Sequence, residues 1–144
     1  EKTKLKGANL TNANLTNINL IAVDISEAIL NGADLTGAKL EKVIANNATI
    51  EDVDLSFKNL SKIRLIDSHL SRTIFSDANL SNAKLMGANL SDADLTDANL
   101  TYADLANANL TGAIFHMANL TGANLEGVII SETNLNCIGH EICT

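Results

Sequence analysis

The sequence contains no proline and no tryptophan, and three phenylalanines and one tyrosine are its only aromatic residues. A globular core built on large rings is therefore not expected. No apolar run approaches the roughly 20 residues of a membrane-spanning helix, so we expect no membrane insertion. Residues 1–4 lack the pattern of a secretory signal peptide. The length of 144 residues allows a single domain.

Basic residues are missing from the second part of the chain. Residues 85–144 contain no Lys or Arg and seven acidic residues, whereas residues 1–84 hold ten basic and ten acidic ones, and the net charge is −7. Because an acidic surface repels nucleic acid, we expect no nucleic-acid partner, and the same surface could attract a basic protein. Solvation of a repeat surface would explain the same charge.

A five-residue period dominates the chain. Every position divisible by five from Leu5 to Leu135 is Leu, Ile or Phe, with Ala45 the exception. This period matches neither the α-helix nor the flat strand, so the chain must turn once per pentad to bring each central side chain to a common axis. Four pentads would close a coil of 20 residues, and the chain supplies about seven such coils, stacked at strand spacing.

Folding the sequence on 20 aligns the central residues into four columns and places Leu95 between Phe75 and Phe115 in one of them. The residue two positions before each central one must be small, because four of these residues converge inside each coil. Alanine holds this inner position throughout residues 78–123. Val43 beside Ala45 predicts volume compensation within one pentad.

Lys58 occupies an inner position and breaks this rule. A buried, unpaired ammonium group is prohibitively costly. We therefore expect either that its head reaches solvent, or that the backbone bulges and turns Phe57 inward. Residues 57–58 are the predicted irregularity.

Two pentads, residues 88–92 (Ala-Asn-Leu-Ser-Asp) and 118–122 (Ala-Asn-Leu-Thr-Gly), carry the pattern most clearly. They resemble the pentapeptide-repeat family, and the resemblance extends from residue 3 to about residue 135. It implies an all-β fold, a right-handed quadrilateral parallel β-helix. We divide the chain into this β-helix, residues 1–135, and a short C-terminal cap, residues 136–144. The repeat starts close to Glu1, which would leave an end coil unpaired. We therefore expect either that residues before Glu1 are missing from this sequence, or that this end meets another molecule, such as a second copy of the chain.

No arrangement of side chains indicates catalysis. His69, His116 and His140 lie far apart on the coil map, and no Ser or Cys has a neighbouring His and carboxylate. A filled interior leaves no cofactor cavity, and no phosphate-binding loop is present. We predict no catalytic residues, no cofactor and no metal, and a structural or protein-binding role.

One face of the folded map is acidic. Its candidate binding residues are Asp34, Asp52, Asp54, Asp77, Asp92, Asp94 and Asp97. Family members of the quinolone-resistance type bind DNA gyrase as DNA mimics, so the resemblance implies an alternative function, an acidic inhibitor of gyrase or another DNA-handling protein. Ile74 and Ile114 interrupt the acidic column.

Cys137 and Cys143 lie just beyond the last regular pentad. A disulfide between them would pin the tail; two free thiols, or a weak metal motif with His140, are the alternatives. A disulfide would place the protein outside the reducing cytosol. Family members of the cyanobacterial and chloroplast thylakoid lumen are similar, so we expect a thylakoid-lumen or periplasmic location. Two free thiols would instead indicate a cytoplasmic location.

Overall fold

The computed structural model describes residues 5–143. Within them the chain forms no helix, and single residues make parallel bridges to residues 20 positions further on, from Asn9 with Ile29 to Ile114 with Asn134. This is the coil length that the folded sequence predicts. No described residue belongs to a helix long and apolar enough to cross a bilayer. The predicted association through the end coil involves residues 1–4, which lie outside the described part.

Each pentad consists of one bridged residue and one tight turn. In the pentad ending at Ala83, the N–H of Ala83 donates to the Leu80 carbonyl over 2.9 Å, which closes a four-residue turn. The third residue of that turn, Asn82, has a φ of 58°. Left-handed backbone favours Gly, Asn and Asp, because other side chains crowd the following carbonyl. The frequent Asn, Asp and Gly residues at this corner position therefore have a conformational cause.

The interior is a continuous stack of side chains. The central residues from Leu60 to Leu105 and the inner alanines from Ala78 to Ala118 are almost completely buried, as are both Phe75 and Phe115. Val43 and Ala45 are both buried, as the expected volume compensation requires. The compensation is incomplete, because a void of about 20 Å³ remains beside them. The stack leaves no room for a ligand there.

Two of the fully buried inner positions carry hydroxyl groups that the period does not explain. Ser68 and Thr73 are buried, and their hydroxyls donate to the carbonyls of Ala45 and Ile50 in the preceding coil. A buried hydroxyl without a partner would cost about 1–3 kcal/mol. Among the described residues, no buried side-chain nitrogen or oxygen lacks a partner.

The register changes at the C-terminal tail. Asn119 pairs with Ile138, only 19 residues ahead, so one residue has been dropped after Asn136. Cys137 takes the inner position that alanine holds in earlier coils and is buried in the core. A disulfide joins it to Cys143, which together with Ile142 packs against the core.

Candidate functional site

The predicted acidic residues do share one side of the rod. Bridges align Asp34 above Asn14, and Asp94 between Ile74 and Ile114, in a single column. The side chains of Asp34 and Asp54 are exposed, while Asp94 is half-buried. The exposed corner residues on either side of this column complete the face: Asp52, Asp77, Asp92 and Asp97.

The column carboxylates also have a structural task that the sequence reasoning missed. The N–H two residues further on donates to each of them, from Thr36 to Asp34 over 2.9 Å and from Ser56 to Asp54 over 2.8 Å. The hydrogen bonds between successive coils form a ladder, and no carbonyl of this ladder accepts that N–H. The Asn or Asp side chain at the bridged position supplies the acceptor instead. The regular placement of Asn and Asp one residue before each central one was the available signal.

These hydrogen bonds also favour the ionised carboxylates. Hydrogen bonds from Thr36 and Ser56 lower the pKa values of Asp34 and Asp54, and the nearby Lys58 ammonium adds to both effects. Partial burial opposes ionisation of Asp94, yet bonds from Thr96 and from the Ser76 hydroxyl keep its pKa below the ordinary aspartate value. The carboxylates of Asp34, Asp54 and Asp94 are therefore ionised at neutral pH.

The acidity of the face is not uniform, because Arg72 stands in the same corner column as Asp52 and Asp92. Its guanidinium forms two hydrogen bonds to the Asp52 carboxylate, at 2.7 and 2.8 Å, and they lower the pKa of Asp52. The spacing of 20 between Asp52 and Arg72 could have revealed this pair. Of the candidate residues, only Asp52 forms an ion pair within the described chain. The Lys58 ammonium acts on Asp34 and Asp54 from a longer distance. The remaining four candidates are Asp77, Asp92, Asp94 and Asp97.

Two exposed isoleucines lie within the unpaired part of the face. Ile74 and Ile114 flank Asp94 in the column, with 41% and 40% of their surfaces exposed. We call the six residues Asp77, Asp92, Asp94, Asp97, Ile74 and Ile114 the acidic–apolar face. Carboxylates without internal ion-pair partners, beside exposed apolar groups, form a surface that can contact a basic protein through both charge and burial.

A second feature is a break in the hydrogen-bonded ladder. Between residues 9 and 134 every expected inter-coil bond is present except where residues 32–40 face residues 51–59. The N–H groups left without their carbonyl partners belong to Gly32, Leu35, Gly37, Leu40, Asp54 and Asn59. A cleft of about 460 Å³ opens along part of this break, lined by Ala33, Asp34, Leu35, Thr36, Asp54, Ser56, Phe57 and Lys58.

Lys58 explains the position of the break. It stands between Ala38 and Ala78 in the inner column, and its half-buried side chain lines the cleft with its ammonium close enough to affect Asp34 and Asp54. The expectation that its head leaves the interior is confirmed. The alternative expectation was wrong: Phe57 does not turn inward but is 78% exposed. The turn bond from the Lys58 N–H to the Leu55 carbonyl is kept, while the bonds between residues 32–40 and 51–59 are lost.

The histidines do not form a common site. His69 lies in a bridge column with Thr49 and Asn89, and the ring of His116 hydrogen-bonds to Asn136 over 3.1 Å. His140 accepts the N–H of Ile142 in the tail. Since Cys137 and Cys143 are joined to each other, neither offers a thiolate to a metal.

Comparison with known families identifies the chain. The model for pentapeptide repeats matches eight copies, over residues 3–41, 18–56, 54–92 and 88–127. The protein therefore belongs to the pentapeptide-repeat family, and its fold is a right-handed quadrilateral β-helix. No protein of curated function matches the sequence.

Several solved structures are similar to this chain. Rfr23, a pentapeptide-repeat protein from the cyanobacterium Cyanothece 51142, is 39% identical over 67% of this chain, with a TM-score of 0.64, and the match spans 66% of Rfr23. QnrB1, a plasmid-mediated fluoroquinolone resistance protein, is 17% identical over 90% of this chain and 85% of its own, with a TM-score of 0.52. A protein of the Arabidopsis thaliana thylakoid lumen is 21% identical over 95% of this chain and 65% of its own, with a TM-score of 0.37.

Proposed function

We propose that this protein is a non-catalytic binding module that uses the acidic–apolar face to hold a basic protein surface. The observation that carries the proposal is that four neighbouring carboxylates of this face, Asp77, Asp92, Asp94 and Asp97, form no ion pair in the described chain and lie outside the cleft lined by Lys58. Ile74 and Ile114 beside them supply apolar area. In this proposal the rod of about seven coils is a rigid scaffold, and residues 136–143 cap its end.

The same face argues against gyrase inhibition by DNA mimicry. A DNA mimic needs carboxylates at regular intervals in place of phosphates, but Ile74 and Ile114 interrupt this column and Arg72 neutralises Asp52. The likeness to QnrB1, at 17% identity, concerns the fold alone. Inhibition of DNA supercoiling by the purified protein at stoichiometric concentration would overturn the proposal in favour of the alternative.

The test neutralises the face without disturbing the rod. Asp92→Asn, Asp94→Asn and Asp97→Asn remove three charges, and asparagine at position 94 retains the oxygen that accepts the Thr96 N–H. A control variant with the same charge change carries Asp67→Asn, Glu126→Gln and Glu141→Gln, which lie on other exposed positions. Proteins bound from the native cell extract are quantified by mass spectrometry on each immobilised variant.

We expect one or more basic proteins to bind the wild type and the control but to be lost from the face variant, by about tenfold or more in recovery. Melting temperatures of all three proteins should be similar. Equal recovery on the face variant would show that these carboxylates do not form the binding surface.

We also propose that the protein acts outside the reducing cytosol, in a periplasm or thylakoid lumen. The disulfide between Cys137 and Cys143 supports this, because such bonds persist in oxidising compartments. The measurement is rapid alkylation of the native protein in its own cells, followed by mass spectrometry. An oxidised pair agrees with the proposal, and two alkylated thiols contradict it.

A further inference from the structure

We propose that the cleft between residues 33–36 and 54–58 binds an extended peptide segment that carries a basic side chain. This inference rests on the proposed function, a protein-binding module, and names a separate place where the partner chain is held. The cleft is formed by the break in the ladder described above, and the argument for its ligand comes from main-chain groups, charge and shape.

The main-chain groups of the cleft are the first part of the argument. At the cleft, the N–H groups of Leu35, Gly37 and Asp54 donate to no other group in the described chain, and the carbonyls of Ala33, Asp54 and Ser56 have lost the partners that the register predicts. Unpaired main-chain groups are costly unless water or a ligand satisfies them. An extended peptide offers alternating N–H and C=O groups and pairs with such an edge by adding a strand.

The charges select the side chains of that peptide. Asp34 and Asp54 each commit one carboxylate oxygen to the neighbouring N–H, and within the described residues neither has a basic group at ion-pair distance. Two carboxylates face one ammonium, that of Lys58. A lysine or arginine of the ligand would supply the missing positive charge, whereas an acidic ligand would be repelled.

The shape of the cleft fits a peptide better than a deeply enclosed ligand. Its volume of about 460 Å³ lies within the range of binding pockets, and it is open along one side. Phe57 stands exposed among its lining residues, where its ring can cover a bound chain. Exposed aromatic rings supply contact area at low entropic cost.

Because Lys58 creates the cleft, one substitution should remove the site without weakening the fold. In Lys58→Ala a single methyl group stands between Ala38 and Ala78 in the inner column, so the two coils can close as they do elsewhere and the missing ladder bonds can form. Lys62→Ala is the control, because it removes one positive charge from an exposed corner outside the cleft lining.

The probe is a fluorescently labelled, blocked five-residue peptide in which lysine alternates with valine. Its counterparts replace lysine by glutamate, or carry N-methyl groups on the amides that would donate. Binding to the disulfide-intact protein is measured by fluorescence anisotropy, and amide hydrogen exchange of Leu35 and Gly37 is followed by nuclear magnetic resonance.

We expect the lysine peptide to bind the wild type and Lys62→Ala equally, and to slow exchange at Leu35 and Gly37. The wild type should bind the glutamate peptide and the N-methyl peptide about tenfold or more weakly than the lysine peptide. Lys58→Ala should bind the lysine peptide about tenfold or more weakly than the wild type does. In Lys58→Ala both amides should be protected before any peptide is added, and the melting temperature should not fall.

The inference is overturned if the lysine peptide does not bind, if Lys58→Ala binds it as well as the wild type does, or if the glutamate peptide binds equally. The variant with Asp92, Asp94 and Asp97 neutralised separates the two proposals. It should retain the peptide in the cleft while losing the proteins bound by the acidic–apolar face, and each readout can fail without the other.

Discussion

Replacement of Leu95 by alanine tests the packed interior most directly. Leu95 is completely buried and lies in one column between Phe75 and Phe115, which are also completely buried. Leu-to-Ala substitutions in cores cost about 2–5 kcal/mol, and the cost rises with the cavity that remains. Two large rings held by their own coils cannot collapse into the gap, so we expect a loss of about 4 kcal/mol.

The assay is urea unfolding of the disulfide-intact protein, followed by circular dichroism. A loss of that size should lower the melting temperature by roughly 10 °C in a chain of this length. Leu125→Ala is the matched control, because Leu125 is only partly buried near the end of the rod, and its loss should be clearly smaller. Equal losses at the two positions, or less than about 1 kcal/mol at Leu95, would refute the inward stacking of this column.

Two further predictions concern polar groups. Folding lowers the pKa values of Asp34, Asp54 and Asp94, so their stabilising contribution is present above the unfolded aspartate pKa and is lost as pH falls through the lower folded values. The melting temperature should therefore drop below about pH 4. Replacing all three by asparagine keeps the acceptor oxygens, and it should make the melting temperature less dependent on pH. A pH profile unchanged by the replacement would contradict this. Thr73→Val removes the donor to the Ile50 carbonyl and should cost about 1–3 kcal/mol in urea unfolding, while Thr16→Val on the surface should cost almost nothing.

Much of the candidate surface could be derived from the register. Residues 20 positions apart stack on each other, so one column contains the three aspartates and the two isoleucines of this surface. These residues are Asp34, Asp54, Ile74, Asp94 and Ile114. The pairing of Arg72 with Asp52 follows from the same spacing and was overlooked. The second role of the aspartates, as acceptors for the N–H two residues on, required the turn geometry.

The sequence alone determined the coil. In each pentad a central Leu, a small inner residue and a corner Asn, Asp or Gly recur at the same positions, and only a chain that turns once per pentad can place them so. It also located Lys58 as the one charge that the interior cannot hold. Only the tertiary structure decided how that conflict is resolved. The turn around Phe57 is held by its own local hydrogen bonds, whereas the ladder between coils depends on residues 20 positions apart, so the ladder opens and forms the cleft. Which of these bonds is kept depends on how two coils pack against each other, and a single pentad does not encode that packing.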